Sequence, residues 1–94
     1  MPPHISEWEW DDGNLTELAT HGVDVETVLE VWTEAPRYRK NTRGRPGYRM
    51  IGPDWGGEIW TIPTRPVRGR PGVWRAVTGW RSEEPDISWY RRKK

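Results

Sequence analysis

The sequence predicts an α+β fold: two N-terminal helices packed on a three- to four-stranded antiparallel sheet, with a short C-terminal helix. Three observations predict it. Apolar residues before Pro36 recur at helical spacing, those after Pro36 fall in extended runs bounded by Pro and Gly, and the charge changes sign at the same place. Met1 to Pro36 carries nine acids and no Lys or Arg, whereas the remainder carries all fifteen basic residues against five acids. The net charge of +1 therefore conceals an acidic end and a basic end. A dense arginine surface points first to phosphate, and so to nucleic acid.

The elements follow in order. Residues 1–9 contain Pro2 and Pro3 and read as a tail, or as a short strand around Ile5–Trp10. Asp11 or Asp12 is placed to cap a helix from Asn14 to about His21, with Leu15, Leu18 and Ala19 on one face and Gly22 as its stop. Asp24 caps a second helix in which Val25, Val28, Leu29 and Trp32 fall at i, i+3, i+4 and i+7, and Pro36 closes it. Arg37–Thr42 reads as an edge strand and Tyr48–Gly52 as a better one. The turn Pro53-Asp54-Trp55-Gly56-Gly57 leads to a return strand at Glu58–Pro63. Val73–Arg81 alternates throughout, so the period of two places Arg75 and Arg81 on one face. Glu83–Tyr90 forms the last helix, and residues 91–94 form a basic tail.

Ninety-four residues make a single small domain. Eight Trp and no Phe mean that indoles supply much of the core area, with Trp55 and Trp80 the best placed for exposure. With no cysteine and only two histidines, no metal site can be assembled from spacing, and no cofactor is expected. No apolar run is long enough to span a bilayer, so a cytoplasmic protein without membrane contact is the expectation.

One pentapeptide occurs twice: Arg43-Gly44-Arg45-Pro46-Gly47 and Arg68-Gly69-Arg70-Pro71-Gly72. Its Arg-Gly-Arg-Pro core resembles an AT-hook that lies in the minor groove. Pro-Gly is also turn chemistry, and both copies stand where a strand-to-strand loop is needed. As loops they bring Arg43, Arg45, Arg68 and Arg70 to the rim of one sheet, near Trp80, as candidate nucleic-acid contacts.

Several motifs stand in a set order: Trp10-Asp11-Asp12 with Asn14-Leu15, then His21-Gly22-Val23, then Glu26 through Val31. Tyr48-Arg49-Met50-Ile51-Gly52, Trp74-Arg75-Ala76-Val77-Thr78-Gly79 and Tyr90-Arg91-Arg92 complete the set, which spans about residues 8–92. In this order the set resembles the BrnT-like toxins of bacterial toxin–antitoxin pairs, within the RelE/ParE superfamily. The resemblance implies a RelE-like domain, a ribonuclease activity that stops translation, and neutralisation by a cognate antitoxin protein.

Metal-independent RNA cleavage needs an activated 2′-hydroxyl and cations that stabilise the charge developing on phosphorus. Arg49, Arg75 and Arg81 are the candidate phosphate clamp, and Tyr90 a candidate donor to phosphate. Asp86 or Glu84 is a candidate base, and His21 a candidate for acid–base work because imidazole chemistry suits proton transfer near neutral pH. The acidic hairpin beside a basic sheet also invites a homodimer. A toxin-like domain that binds nucleic acid or protein without cutting is the competing expectation.

Overall fold

The computed structural model describes residues 3–42 and 44–92. Along the chain run β1 (Glu7–Trp8), α1 (Asp12–Ala19), α2 (Val25–Thr33), β2 (Arg37–Lys40), β3 (Tyr48–Pro53), β4 (Ile59–Pro66), β5 (Val73–Ala76), β6 (Trp80–Arg81) and α3 (Glu84–Arg91). The architecture is α+β, with three helices and one six-stranded sheet of order β1-β5-β4-β3-β2, β6 pairing with β4. The sheet is mixed, where the sequence suggested three or four antiparallel strands. The N-terminal segment adds β1 in parallel to β5, through Glu7↔Val73 and Trp8↔Trp74, while the pairs from β2 to β6 are antiparallel.

The long strand expected over Val73–Arg81 is two strands, β5 and β6, with a bulge between them. On one side Ala76 pairs with Thr64, and on the other Trp80 pairs with Thr61. Two residues of β4, Ile62 and Pro63, thus oppose the three residues Val77, Thr78 and Gly79. Pro63 explains the slip. Val77 donates its N–H to the Pro63 carbonyl at 2.9 Å, but Pro63 has no N–H to return, so the ladder loosens there and admits an extra residue. A one-residue slip reverses the faces. Arg75, opposite Arg65, and Arg81, opposite Trp60, consequently lie on opposite faces of the sheet.

Asp11 caps α1 by accepting the Asn14 N–H at 3.1 Å, and the Asn14 side chain accepts the Asp11 N–H at 2.9 Å. The amide of Asn14 also donates to the carbonyls of Glu9 and Ala76 at 3.0 and 3.3 Å. These bonds turn Asn14 and Leu18, one helical turn apart, toward the sheet and leave Leu15 and Ala19 outside. The inward face of α1 is therefore rotated from the Leu15–Leu18–Ala19 stripe. In α2, capped by Asp24, the buried pair is Val28 and Val31, with Trp32 partly covered and Leu29 exposed.

Leu18, Val23, Val28 and Val31 share one core with Trp8, Met50, Trp60, Ile62, Trp74 and Ala76. Cross-strand register puts Met50, Ile62, Trp74 and Ala76 on the same face of the sheet. Arg39, Arg49, Pro63, Arg65, Arg75, Thr61 and Trp80 share the other face by the same register. Asp86, from α3, reaches that second face.

The second pentapeptide copy and the described part of the first are turns. In the described part of the first copy, Gly44 and Gly47 have φ of 70° and 92°; in the second, Gly69 and Gly72 have φ of 78° and 85°. At Gly47 a Cβ would sit 1.9 Å from the Thr64 carbonyl oxygen, so glycine is required by contact as well as by backbone. The turn before β4 is held by Asp54, which accepts the N–H groups of Gly56 and Glu58 and the indole N–H of Trp60. The Trp60 bond is the largest of the effects that pull the Asp54 carboxyl below its usual range. Trp55, at the tip, is 70% exposed, whereas Trp80 is half-buried.

Candidate nucleic-acid interface

The face opposite the core carries a groove of about 650 Å³, lined by Asn41, Thr42, Arg45, Pro46, Arg49, Pro63, Arg65, Val77, Thr78 and Trp80. Three guanidiniums and one indole dominate its chemistry. The groove lies over the bulge, because the slip at Pro63 brings Trp80 to the face that carries Arg49 and Arg65. The Arg49 guanidinium lies 6.0 Å from the centre of the Trp80 ring, within cation–π range.

Arg49 is braced from behind. Asp86 is only 6% exposed and takes Arg49 Nη1 at 3.3 and 3.4 Å, Arg39 Nη1 at 3.3 Å and the Thr61 hydroxyl at 2.9 Å. The Thr61 oxygen lies 2.7 Å from Ser82 Oγ. Asp86 sits in the first turn of α3, where the helix end favours a carboxylate. Its oxygens are thus filled by donors, which suits an anchor for Arg49 and leaves little room for a base. Arg39 is also held over the Trp89 ring at 5.3 Å.

Arg75 occupies the same face, directly across from Arg65, but its charge is already matched. Its Nη1 lies 2.6 Å from Glu9 Oε1 and 2.7 Å from Asp11 Oδ2, and Nη2 lies 3.1 Å from Asp11 Oδ1. Its side chain is 18% exposed. The Arg75 bond, helped by the Asn14 N–H, holds the Asp11 carboxyl down to about 2 from 3.8, while Asp11 and Glu9 push the Arg75 guanidinium up. Arg70, in the loop before β5, reaches Glu9 at 3.3 Å and Glu7 at 3.8 Å.

The remaining expected residues are dispersed. Arg81 is exposed on the opposite face, 6.0 Å from the Trp60 ring centre. The Tyr90 hydroxyl donates to the Ala35 carbonyl at 3.4 Å, beside the start of β2. The groove meets the other end of β2, roughly 13 Å along the strand at 3.3 Å per residue. His21 follows α1, where its Nε2 lies 3.1 Å from Glu17 Oε2; the same oxygen accepts the Thr78 hydroxyl at 3.0 Å. His21 thus reaches the groove wall only through Glu17. Arg45 lines the groove, Arg68 is exposed in the loop before β5, and Arg43 lies outside the described residues.

Arg65 was not anticipated, because Pro63 reads as a strand end and leaves Arg65 in a loop. Pro63 instead stays in β4 with its donorless side toward the bulge, and the strand runs on to Pro66. Arg39 and Thr61, which hold Asp86, gave no signal that single-strand periodicity detects.

Among the described residues no group of three His, Asp or Glu is placed to hold a metal ion, and no helix is long and apolar enough to cross a membrane. No model of a known protein family matches the sequence, and no curated protein matches it.

Proposed function

We propose that this chain is a BrnT-like toxin of RelE-like fold, a cytoplasmic metal-independent ribonuclease that halts translation until a cognate antitoxin binds it. The motif order across residues 8–92 supports the family reading. The observation that carries the RNA reading is the groove in which Arg45, Arg49 and Arg65 flank Trp80 on an open sheet face. Guanidiniums bind phosphate bidentately, and an indole offers a stacking surface to an unpaired base.

In the cleavage reaction the 2′-hydroxyl attacks the adjacent phosphorus, the bond to the 5′-oxygen breaks, and a proton leaves the nucleophile while another reaches the leaving oxygen. Arg49, oriented by Asp86, opposes the negative charge that grows on the phosphoryl oxygens. Arg45 and Arg65 hold the flanking backbone in line. Among the described residues, the groove lining contains no carboxylate or imidazole. That observation favours the second reading, a toxin-like domain that binds RNA without cutting it.

One experiment separates the two. The purified chain is incubated with a structured RNA in excess chelator, and products are resolved on a sequencing gel. Cleavage that falls about 100-fold in Arg49→Ala, the scale of losing one transition-state donor, supports the ribonuclease. Salt-sensitive binding without cleavage supports the binding domain. Absence of both, with no growth arrest on induced expression, refutes the proposal.

A further inference from the structure

Arg49, Arg65 and Arg75 form a diagonal row across β3, β4 and β5. Arg49 stands opposite Pro63, Arg65 is two residues further along the same face of β4, and Arg75 stands opposite Arg65. The first step is about 7 Å along the strands and about 5 Å across, roughly 8–9 Å in all, and the second is about 5 Å across the ladder. A row of guanidiniums at such intervals follows an extended, unpaired phosphate backbone. Trp80 lies at the Arg49 end, where one base can stack.

The far end of the row is closed. Glu9 and Asp11 together present three oxygens to Arg75 at 2.6 to 3.1 Å, and Glu9 also engages Arg70. Two carboxylates gripping a guanidinium in this way reproduce the contacts of a phosphate. They belong to the segment joining β1 to α1, and β1 pairs in parallel with β5 through Glu7↔Val73 and Trp8↔Trp74.

On the reading of the groove as an RNA site, we infer that its ligand is a single unpaired strand running from Trp80 over Arg49 and Arg65, and that Glu9 and Asp11 act as internal phosphate mimics ending the path at Arg75. A strand that displaced them would gain Arg75 and Arg70 as further contacts. The clasp thereby limits how much backbone the protein holds.

The test is fluorescence-anisotropy binding of a labelled 2′-O-methyl octanucleotide, which cannot be cleaved, across a salt series. Each phosphate neutralised on a single strand contributes about −0.7 to the slope of log K against log salt. Three contacts from Arg45, Arg49 and Arg65 predict a slope of about −2. Neutralising the clasp with Glu9→Gln and Asp11→Asn keeps an α1 cap, since Asn caps helices well. That variant is expected to steepen the slope to about −3 or beyond and to tighten binding several-fold. Glu26→Gln with Glu34→Gln removes the same charge from α2 and its C-cap and is expected to change the slope little. Binding by the clasp variant alone, with the parent chain too weak to measure, also supports the clasp. If the parent binds and the clasp variant keeps its slope, or the α2 variant steepens equally, the clasp inference fails while the groove stands. If a duplex of the same sequence binds as tightly as the single strand, the unpaired-strand inference fails. If no variant binds, the groove reading fails with it.

Discussion

Replacing Asp86 with alanine removes one small side chain and takes a partner from three groups at once. Arg49 and Arg39 lose their shared carboxylate, and Thr61, fully buried, keeps only Ser82. Breaking a fully buried ion pair by deleting one partner costs about 3–5 kcal/mol. Here the guanidiniums reach water, with Arg49 25% and Arg39 42% exposed at the side chain, so solvent screens part of that loss. The Thr61 hydroxyl adds up to about 1 kcal/mol. The expected total is about 2–3 kcal/mol, a fall of roughly 10–20 °C in Tm for a domain of this size. Urea unfolding followed by tryptophan fluorescence measures it directly. Asp86→Asn, which keeps an acceptor for Thr61 but no charge, is expected to lose about half as much. Combining Asp86→Ala with Arg49→Met is expected to recover about 1 kcal/mol, since it removes an unpaired cation. A loss below about 0.5 kcal/mol for Asp86→Ala would refute the assignment of Asp86 as the anchor of this face.

Three further outcomes test other parts of the structure. Gly47→Ala is expected to cost at least 2 kcal/mol or about that, because its Cβ meets the Thr64 carbonyl; Gly44→Ala, with nothing within 4 Å, is expected to cost about 1 kcal/mol from its left-handed backbone alone. Chemical denaturation of the two variants side by side checks the difference. Asp11 titrates near 2 when folded, against 3.8 for the free side chain, so its contribution to stability is complete above about pH 4 and disappears as pH falls through 2. Tm measured from pH 5 to pH 2 is expected to fall less steeply in Asp11→Asn than in the parent chain. Leu18→Ala, at a fully buried site, is expected to cost about 3 kcal/mol in urea unfolding, whereas Leu15→Ala on the exposed side of the same helix is expected to change stability by less than about 1 kcal/mol.

Capping residues and turn signals were the legible part of the sequence. Asp24 caps the helix it was expected to cap, Asp11 is the one of the two candidates Asp11 and Asp12 that caps the first helix, and Pro53–Gly57 makes the turn into β4. These signals act over three or four residues, so local chemistry decides them. What depended on distant partners was not legible. Leu15 and Leu18 have similar apolar character, and the choice between them is made by the Asn14 amide bonding to Ala76, 62 residues away. The alternation of Val73–Arg81 is faithful to a strand, yet the partner residue that breaks it, Pro63, lies on β4. Hence Arg75 and Arg81, paired by periodicity, separate to opposite faces. Trp80 and Arg49, joined by no local pattern, come together. The acid in the final helix was visible as a candidate, but its three donors come from β2, β3 and β4, and only the assembled sheet reveals that they fill it.

The shortest strand also has a consequence for the order in which the chain folds. β1 precedes every other element, yet the edge it pairs with is 66 residues further on, in β5. β5 in turn takes its position from the hairpin with β4. Closing so long a loop in return for two strand pairs is unfavourable until that hairpin exists. The N-terminal segment is therefore expected to dock late, with Trp8 and Trp10 in water while the rest of the sheet forms. Substitutions in β1 should accelerate unfolding and leave the folding rate almost unchanged, the kinetic signature of a contact made after the barrier.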